Sequence, residues 1–185
     1  MRAIILAAGR GSRMKNLTDT KPKCLLIYKK KHIIDWQIKA IKKNKIKDIC
    51  IITGFKKELL KNYKFKKIFN RRWKKTNMVY SLICAKKWFK NKTFLVSYSD
   101  IYYDEKTLKL LSKSKDDISI TYDPNWYKLW KRRFKKPLSD AETFKIDKDS
   151  NLLDQDSAIS NDASQVFNKE SYTENSFLEI APLNY

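Results

Sequence analysis

Apolar residues run unbroken through Ala3-Ile-Ile-Leu-Ala7 and then stop at Gly9 and Gly11, two of the three glycines in the chain. A run that is apolar on both faces predicts a central parallel strand over residues 2–8, and the glycines predict a loop over 9–23. Cys24-Leu-Leu-Ile27 is a second short apolar run and reads as extended. Ile34, Ile38 and Ile41 recur at helical spacing, with Ile33 and Trp36 beside them and lysines opposite, so residues 32–44 read as an amphipathic helix. Asp48-Ile-Cys-Ile-Ile-Thr53 reads as the second strand, closed by Gly54. A short helix is expected at about 56–63 and a strand near 65–69. Thr76 or Asn77 reads as the N-cap of a helix carrying Met78, Val79, Leu82 and Ile83, with Met78 expected in the core. Thr93-Phe-Leu-Val96 is a further strand that runs out into Ser97-Tyr-Ser-Asp100, followed by a helix at 105–113 and a strand at Ile118-Ser-Ile-Thr121. Beyond residue 150 the periodicity fades, with weak strands near 165–168 and 177–181.

Strands alternating with helices predict a Rossmann-like α/β fold, a mostly parallel sheet with helices on both faces. At 185 residues the chain has room for one domain, or one domain and a tail. Net charge separates two parts. Asn151 to the end carries Lys169 against Asp154, Asp156, Asp162, Glu170, Glu174 and Glu179, a balance of −5 that leaves +26 on residues 1–150. The expected division is therefore a folded domain over 1–150 and an acidic, Ser/Asn-rich tail over 151–185.

A net charge of +21 raises nucleic acid as a partner, and a basic nucleic-acid-binding protein is the rival class. The lysines are spread over nearly the whole body rather than arrayed along one element, so a solvated basic surface that draws phosphate-bearing substrates is preferred. No run of eighteen apolar residues is present, so no membrane span is expected. Cys24, Cys50 and Cys84 form no C-x-x-C pair and read as reduced thiols of a cytoplasmic protein. With His32 the single histidine, neither a His-rich metal site nor a Ser-His-Asp triad is expected.

The candidate chemistry lies at the ends of the apolar runs. Glycines at the exit of a buried strand let backbone N–H groups converge on an anion. Arg13 and Lys23 follow as a planar fork and a point charge. The spacing is not the dinucleotide fingerprint, because Met14 stands at its third glycine, and it is not a P-loop, because no Gly-Lys-Ser/Thr follows. Asp100, just past an apolar strand, suits a hard cation such as Mg²⁺ or, alternatively, the cap of the next turn.

Taken whole, Leu6-Ala-Ala-Gly9-Arg10-Gly11-Ser12-Arg13-Met14 followed by Lys21-Pro-Lys23 resembles the signature of nucleotidyltransferases that make NDP-sugars and related activated alcohols. Trp73 through Leu82, Ser97 through Ile101, and Leu129-Trp-Lys-Arg-Arg-Phe134 through Glu142 narrow the resemblance to phosphocholine cytidylyltransferase-like members. It covers residues 1 to about 150. It implies the fold of nucleotide-diphospho-sugar transferases, incomplete at the C-terminus, and Mg²⁺-dependent transfer from an NTP, with CTP favoured, to a phosphorylated small alcohol such as phosphocholine. The alternatives are a sugar-1-phosphate acceptor or a catalytically dead, truncated member that keeps nucleotide binding. Leu6, Ala7, Ala8, Gly9, Gly11 and Ser12 would then bind nucleotide, with Asn77 and Ser81 near the base. Arg13 and Lys23 would act on the phosphates and Asp100 would hold the metal. For a quaternary ammonium, Trp126, Tyr127 and Trp130, with Asp140 and Glu142 nearby in sequence, form either a cation–π box or a packed lid. Members usually continue further and supply a second metal-binding carboxylate, a role that matching assigns to none of Asp154, Asp156 and Asp162.

Overall fold

The computed structural model describes residues 1–89, 93–121, 123, 125–132, 134–137, 143–147 and 152–156. Residues 1–113 form one unit, and a second begins at Ser114.

The first unit is built on a four-stranded parallel sheet in the order β5-β4-β1-β6. Its strands are β1 (Arg2–Ala7), β4 (Ile49–Thr53), β5 (Lys66–Phe69) and β6 (Phe94–Tyr98). A two-strand hairpin, β2 (Ile27–Tyr28) and β3 (Lys31–His32), precedes α1 (Ile33–Lys43). Helices α2 (Met78–Ile83) and α3 (Lys86–Phe89) lead into β6, and α4 (Glu105–Leu111) follows it. Ala3, Ile4, Ile5, Cys50, Ile51 and Ile52 have no exposed surface, so β1 and β4 are the core of the sheet. From β1 the chain steps outward one way through α1 to β4, then returns across the sheet through α2 and α3 to β6. Right-handed crossovers in opposite directions put these helices on opposite faces. On one face Ile4, Ala8, Cys50 and Ile52 meet Leu82, Ala85, Trp88 and Phe89. Chain order reverses at β1, so the carboxyl ends of β1 and β6 flank the topological switch point, where open α/β sheets bind ligands.

Two expectations change in this unit. Residues 24–27 are not one extended run: Lys23–Leu25 is a 3-10 turn in which Leu25 N–H donates to the Pro22 carbonyl and Leu26 N–H to that of Lys23. Met78 is about half exposed rather than core, and its Sδ accepts from the Tyr98 hydroxyl. Asn77, not Thr76, caps α2, its Oδ1 accepting from Tyr80 N–H at 3.0 Å. His32 caps α1 in a reciprocal box with Asp35, whose Oδ1 accepts from the Tyr63 hydroxyl at 2.8 Å.

Several turns carry lysine where the backbone is left-handed. Lys29 and Lys30, at the tip of the β2–β3 hairpin, have φ of 45° and 64°, and Lys15, Lys45 and Lys56 also lie at positive φ. Side chains with a Cβ adopt that region at a cost. The Lys29 ammonium lies over the rings of Tyr28 and Tyr102.

The second unit contains α5 (Trp126–Lys131) and an antiparallel pair, β7 (Thr143–Ile146) with β8 (Leu152–Asp156). The strand expected at 118–121 is absent, and Ile118 is 86% exposed. Ser114 instead bonds to Asp116 and to Ser119, side-chain bonds that compete with a strand ladder. The strands expected near 165–168 and 177–181 lie outside the described residues, as do Asp140 and Glu142. Among the described residues, no helix is long and apolar enough to cross a membrane.

Candidate active site

The loop leaving β1 is shaped by its glycines. Gly11 has φ 75° and ψ 46°, and a Cβ placed there would press on the Lys23 side chain at 3.2 Å. Gly11 thus turns the chain and leaves room for the lysine stem to lie against it. Gly9 faces open space, with nothing within 4 Å of where a Cβ would sit. The amides of Gly9, Arg10 and Gly11 donate to no backbone carbonyl among the described residues. The loop then closes into the Ser12–Thr18 turn, where buried Thr18 donates its hydroxyl proton to the Gly11 carbonyl at 2.9 Å. Ser12 and Arg13 are exposed on this turn.

Gly54, at the exit of β4, is required by close approach. A Cβ there would lie 2.3 Å from the Ala8 carbonyl oxygen and 2.7 Å from Trp73 Cβ. Phe55 N–H donates to that same Ala8 carbonyl at 2.9 Å, so the end of β4 fixes the end of β1.

Lys23 and Asp100, 77 residues apart, meet at this corner. Lys23 Nζ donates to Asp100 Oδ2 at 2.7 Å, and the two side chains are only 9% and 19% exposed. A pair this withdrawn from water depends on both members, since either alone would be a stranded charge. Next to Lys23 in the chain, burial pushes the Cys24 thiol up to about 12, with the Asp100 and Asp35 charges adding. Cys24 is therefore a packed thiol rather than a nucleophile. The turn carrying Asp100 is itself buried at Ser99, Ile101 and Tyr103.

Leu6, Ala7 and Ala8 end β1 and lead directly into the loop, with Ala7 and Ala8 buried. Asn77 and Ser81 belong to a different network. Ser81 is buried, donating to the Asn77 carbonyl at 3.2 Å and accepting from Asn70 Nδ2 at 3.0 Å. Its hydroxyl braces the start of α2, while the contact between Tyr98 and Met78 ties that helix start to the end of β6.

Two residues passed over in the sequence are structurally central. Asn70 is fully buried, and its side chain also binds Thr76 Oγ1 and accepts from Arg72 N–H. Gln37 is fully buried on α1 and reaches the backbone on either side of Asp100. Gln37 had a legible signal, a polar residue within the apolar stripe of Ile34, Ile38 and Ile41.

In the second unit the aromatic rings meet one another. Trp126 contacts Tyr127 and Trp130 edge to face, at 5.6 and 6.4 Å between centroids, and Trp130 contacts Phe134 at 6.2 Å. Trp130 is only 4% exposed. This is the geometry of aromatic side chains packed together.

A parallel sheet whose switch point brings a glycine loop beside a buried lysine–carboxylate pair defines the class, an open α/β fold with its candidate site at the carboxyl ends of the strands. Comparison with known proteins narrows this: residues 3–147 match the MobA-like NTP transferase domain, and the chain belongs to that family. A CTP:phosphoglutamine cytidylyltransferase from Campylobacter jejuni is 41% identical over 156 residues, covering 79% of this chain and 62% of that protein. The solved CTP:phosphocholine cytidylyltransferase of Streptococcus pneumoniae matches with a TM-score of 0.52 and 34% identity, over 65% of this chain and 52% of that one. An inositol-1-phosphate CTP transferase from T. maritima shares the fold, with a TM-score of 0.65 and 17% identity over 86% of this chain and 65% of that one. The chain thus spans less than two thirds of the length of these relatives. The expectations of a nucleotidyltransferase family and a Rossmann-like, mostly parallel sheet with helices are borne out.

Proposed function

We propose that this chain transfers a cytidylyl group from CTP to the phosphate of a small phosphorylated acceptor and releases pyrophosphate. An acceptor phosphate oxygen attacks the α-phosphorus of CTP, a new P–O bond forms, and the bond from the α-phosphorus to the bridging oxygen of pyrophosphate breaks. The acceptor phosphate is already anionic near neutral pH, so no general base is needed. What must be overcome is repulsion between two anions and the charge growing on the leaving group. The observation that carries the reading is the meeting of Lys23 and Asp100 at 2.7 Å beside Gly11, at the sheet's switch point.

The amides of Gly9–Gly11 would cradle the triphosphate, and Arg13 would add a fork of donors at its rim. Lys23, lying along Gly11, would face the reacting phosphates. Asp100 offers one carboxylate next to them, and Mg²⁺ binds through one or two carboxylates plus substrate phosphates, so the donor set fits that ion. When bound, Mg²⁺ would supply Lewis-acid neutralisation of the phosphate charge. Asn77 and Ser81 would act near the base through the helix start they hold in place.

The relatives point to acceptors of two kinds, phosphoglutamine and phosphocholine by their names. Trp126 contacts Tyr127 and Trp130 edge to face within the second unit, so these rings give phosphocholine no added support. The test is pyrophosphate release from each NTP paired with phosphoglutamine, phosphocholine and a sugar 1-phosphate. Release with CTP and either of the first two is expected. No release with any pair from folded protein would reject the activity, and release only with a sugar 1-phosphate would replace the acceptor.

A further inference from the structure

We infer that Gln37 is a positioning residue for Asp100, an inference that rests on the reading of Asp100 as the metal ligand. Gln37 stands on the buried stripe of α1, where a leucine or methionine would fill the same space without a polar group. Instead its Nε2 donates two hydrogen bonds, each 2.7 Å long, to the carbonyls of Tyr98 and Ile101. Only the NH₂ end of the amide can donate to two acceptors, so its orientation is fixed. Its Oε1 is left buried without a hydrogen-bond partner among the described residues, an unfavourable arrangement for a core. The two donated bonds are therefore what this residue offers.

Tyr98 and Ile101 bracket Ser99 and Asp100, so one side chain clamps both ends of the turn that carries the carboxylate. A second brace reaches the same carbonyl: the Tyr103 hydroxyl donates to Ser97 Oγ at 3.0 Å, and Ser97 Oγ donates to the Tyr98 carbonyl at 3.0 Å. Lys23 then engages Oδ2 of Asp100 from the loop side. With its backbone pinned at both ends and one oxygen directed, the carboxylate is preorganised for a ligand that shares the nucleotide phosphates. Losing the clamp frees the turn and, with it, the direction of the carboxylate.

The test is titration of the full chain with Mn²⁺ in the presence of CTP, following free metal by electron paramagnetic resonance, a readout independent of turnover. Gln37→Met is expected to weaken Mn²⁺ binding in the CTP complex about tenfold, the lower end of what losing an outer partner of a metal ligand does. CTP binding in EDTA should not change. Asp100→Asn should weaken Mn²⁺ binding at least as much, and the double variant no further than Asp100→Asn alone, because the two residues act in series. Unchanged Mn²⁺ affinity in folded Gln37→Met, or a double-variant loss equal to the product of the single losses, overturns the proposal. If Gln37→Met does not fold, Gln37→Asn replaces it, keeping the amide on a stem too short to span both carbonyls. Failure of both to fold assigns Gln37 to the core alone and also overturns the proposal. Wild-type protein without Mn²⁺-dependent CTP binding sinks the reading of the site itself. Intact wild-type binding with an indifferent Gln37 variant sinks only the clamp.

Discussion

The loops that leave β1 and β6 meet at one corner of the sheet, yet they are built in opposite ways. In the first, Gly9, Arg10, Ser12 and Arg13 are exposed, and the groups proposed to act are backbone amides of a loop turned by Gly11. In the second, Ser99, Ile101 and Tyr103 are buried, and the group proposed to act is the carboxylate of Asp100. The contrast follows from the chemistry each offers. Amides are aimed by dihedral angles, so that loop needs little support beyond its turn and the Ala8 contact made from β4. A carboxylate sits at the end of rotatable bonds, so its loop is held by hydrogen bonds from α1 and by a neighbouring cation.

Substitutions can break or sharpen this contrast, beginning with the most severe. Gly54→Ala would drive a Cβ to 2.3 Å from the Ala8 carbonyl oxygen, where backbone cannot yield, and should cost about 3 kcal/mol by urea denaturation. Wild-type stability in that variant would mean that β4 does not hold the end of β1. Asp100→Asn keeps the shape of the second loop but removes its charge, and should lower CTP-dependent pyrophosphate release about a hundredfold. A loss of less than about threefold would take the carboxylate out of the chemistry. Arg13→Ala should lower the same rate about tenfold, since the amides of the first loop remain.

Asp104→Ala tests how the second loop ends. Asp104 Oδ1 caps α4 by accepting from Lys106 and Thr107 N–H at 3.0 Å each, and these bonds, with the Thr107 backbone first, hold its carboxyl below the ordinary range. The loss should be about 1 kcal/mol near neutral pH. A lowered folded-state pKa means this stability is full above the ordinary carboxylate range and fades as pH falls through the folded value. Wild type and variant should therefore converge in acid, and a constant gap down to low pH would assign the effect to something other than the cap. Ser12→Ala should be mildest, changing turnover by less than about threefold, because a backbone-built cradle keeps its amides. A large loss would show that the first loop, too, works through a side chain.

The parts of the fold visible in the sequence are those written as local periodicity. The apolar run of β1, the isoleucine spacing of α1 and the strand at 49–53 need no partner to be recognised. The turn at Lys23–Leu25 was hidden because an apolar run is buried equally well in a turn. The exposed stretch around Ile118 misled because alternation alone does not show that another strand stands beside it. The site divides in the same way. Gly9 and Gly11 announce a loop by themselves, and Lys23 and Asp100 each stood out locally, by a glycine loop and past a strand end, but their pairing is made only by tertiary structure. Asn70 and Gln37 carry no motif, and their importance lies in hydrogen bonds to backbone and side chains that the fold brings close.

Lysine stands at the left-handed tip of the β2–β3 hairpin, in a conformation that glycine or asparagine enters more easily. The fold therefore holds an untapped margin of robustness that can be reached by repairing a surface turn. Laboratory evolution, whose substitutions tend to erode folding, could begin from a hairpin-repaired parent and so tolerate a wider range of changes elsewhere in the sheet.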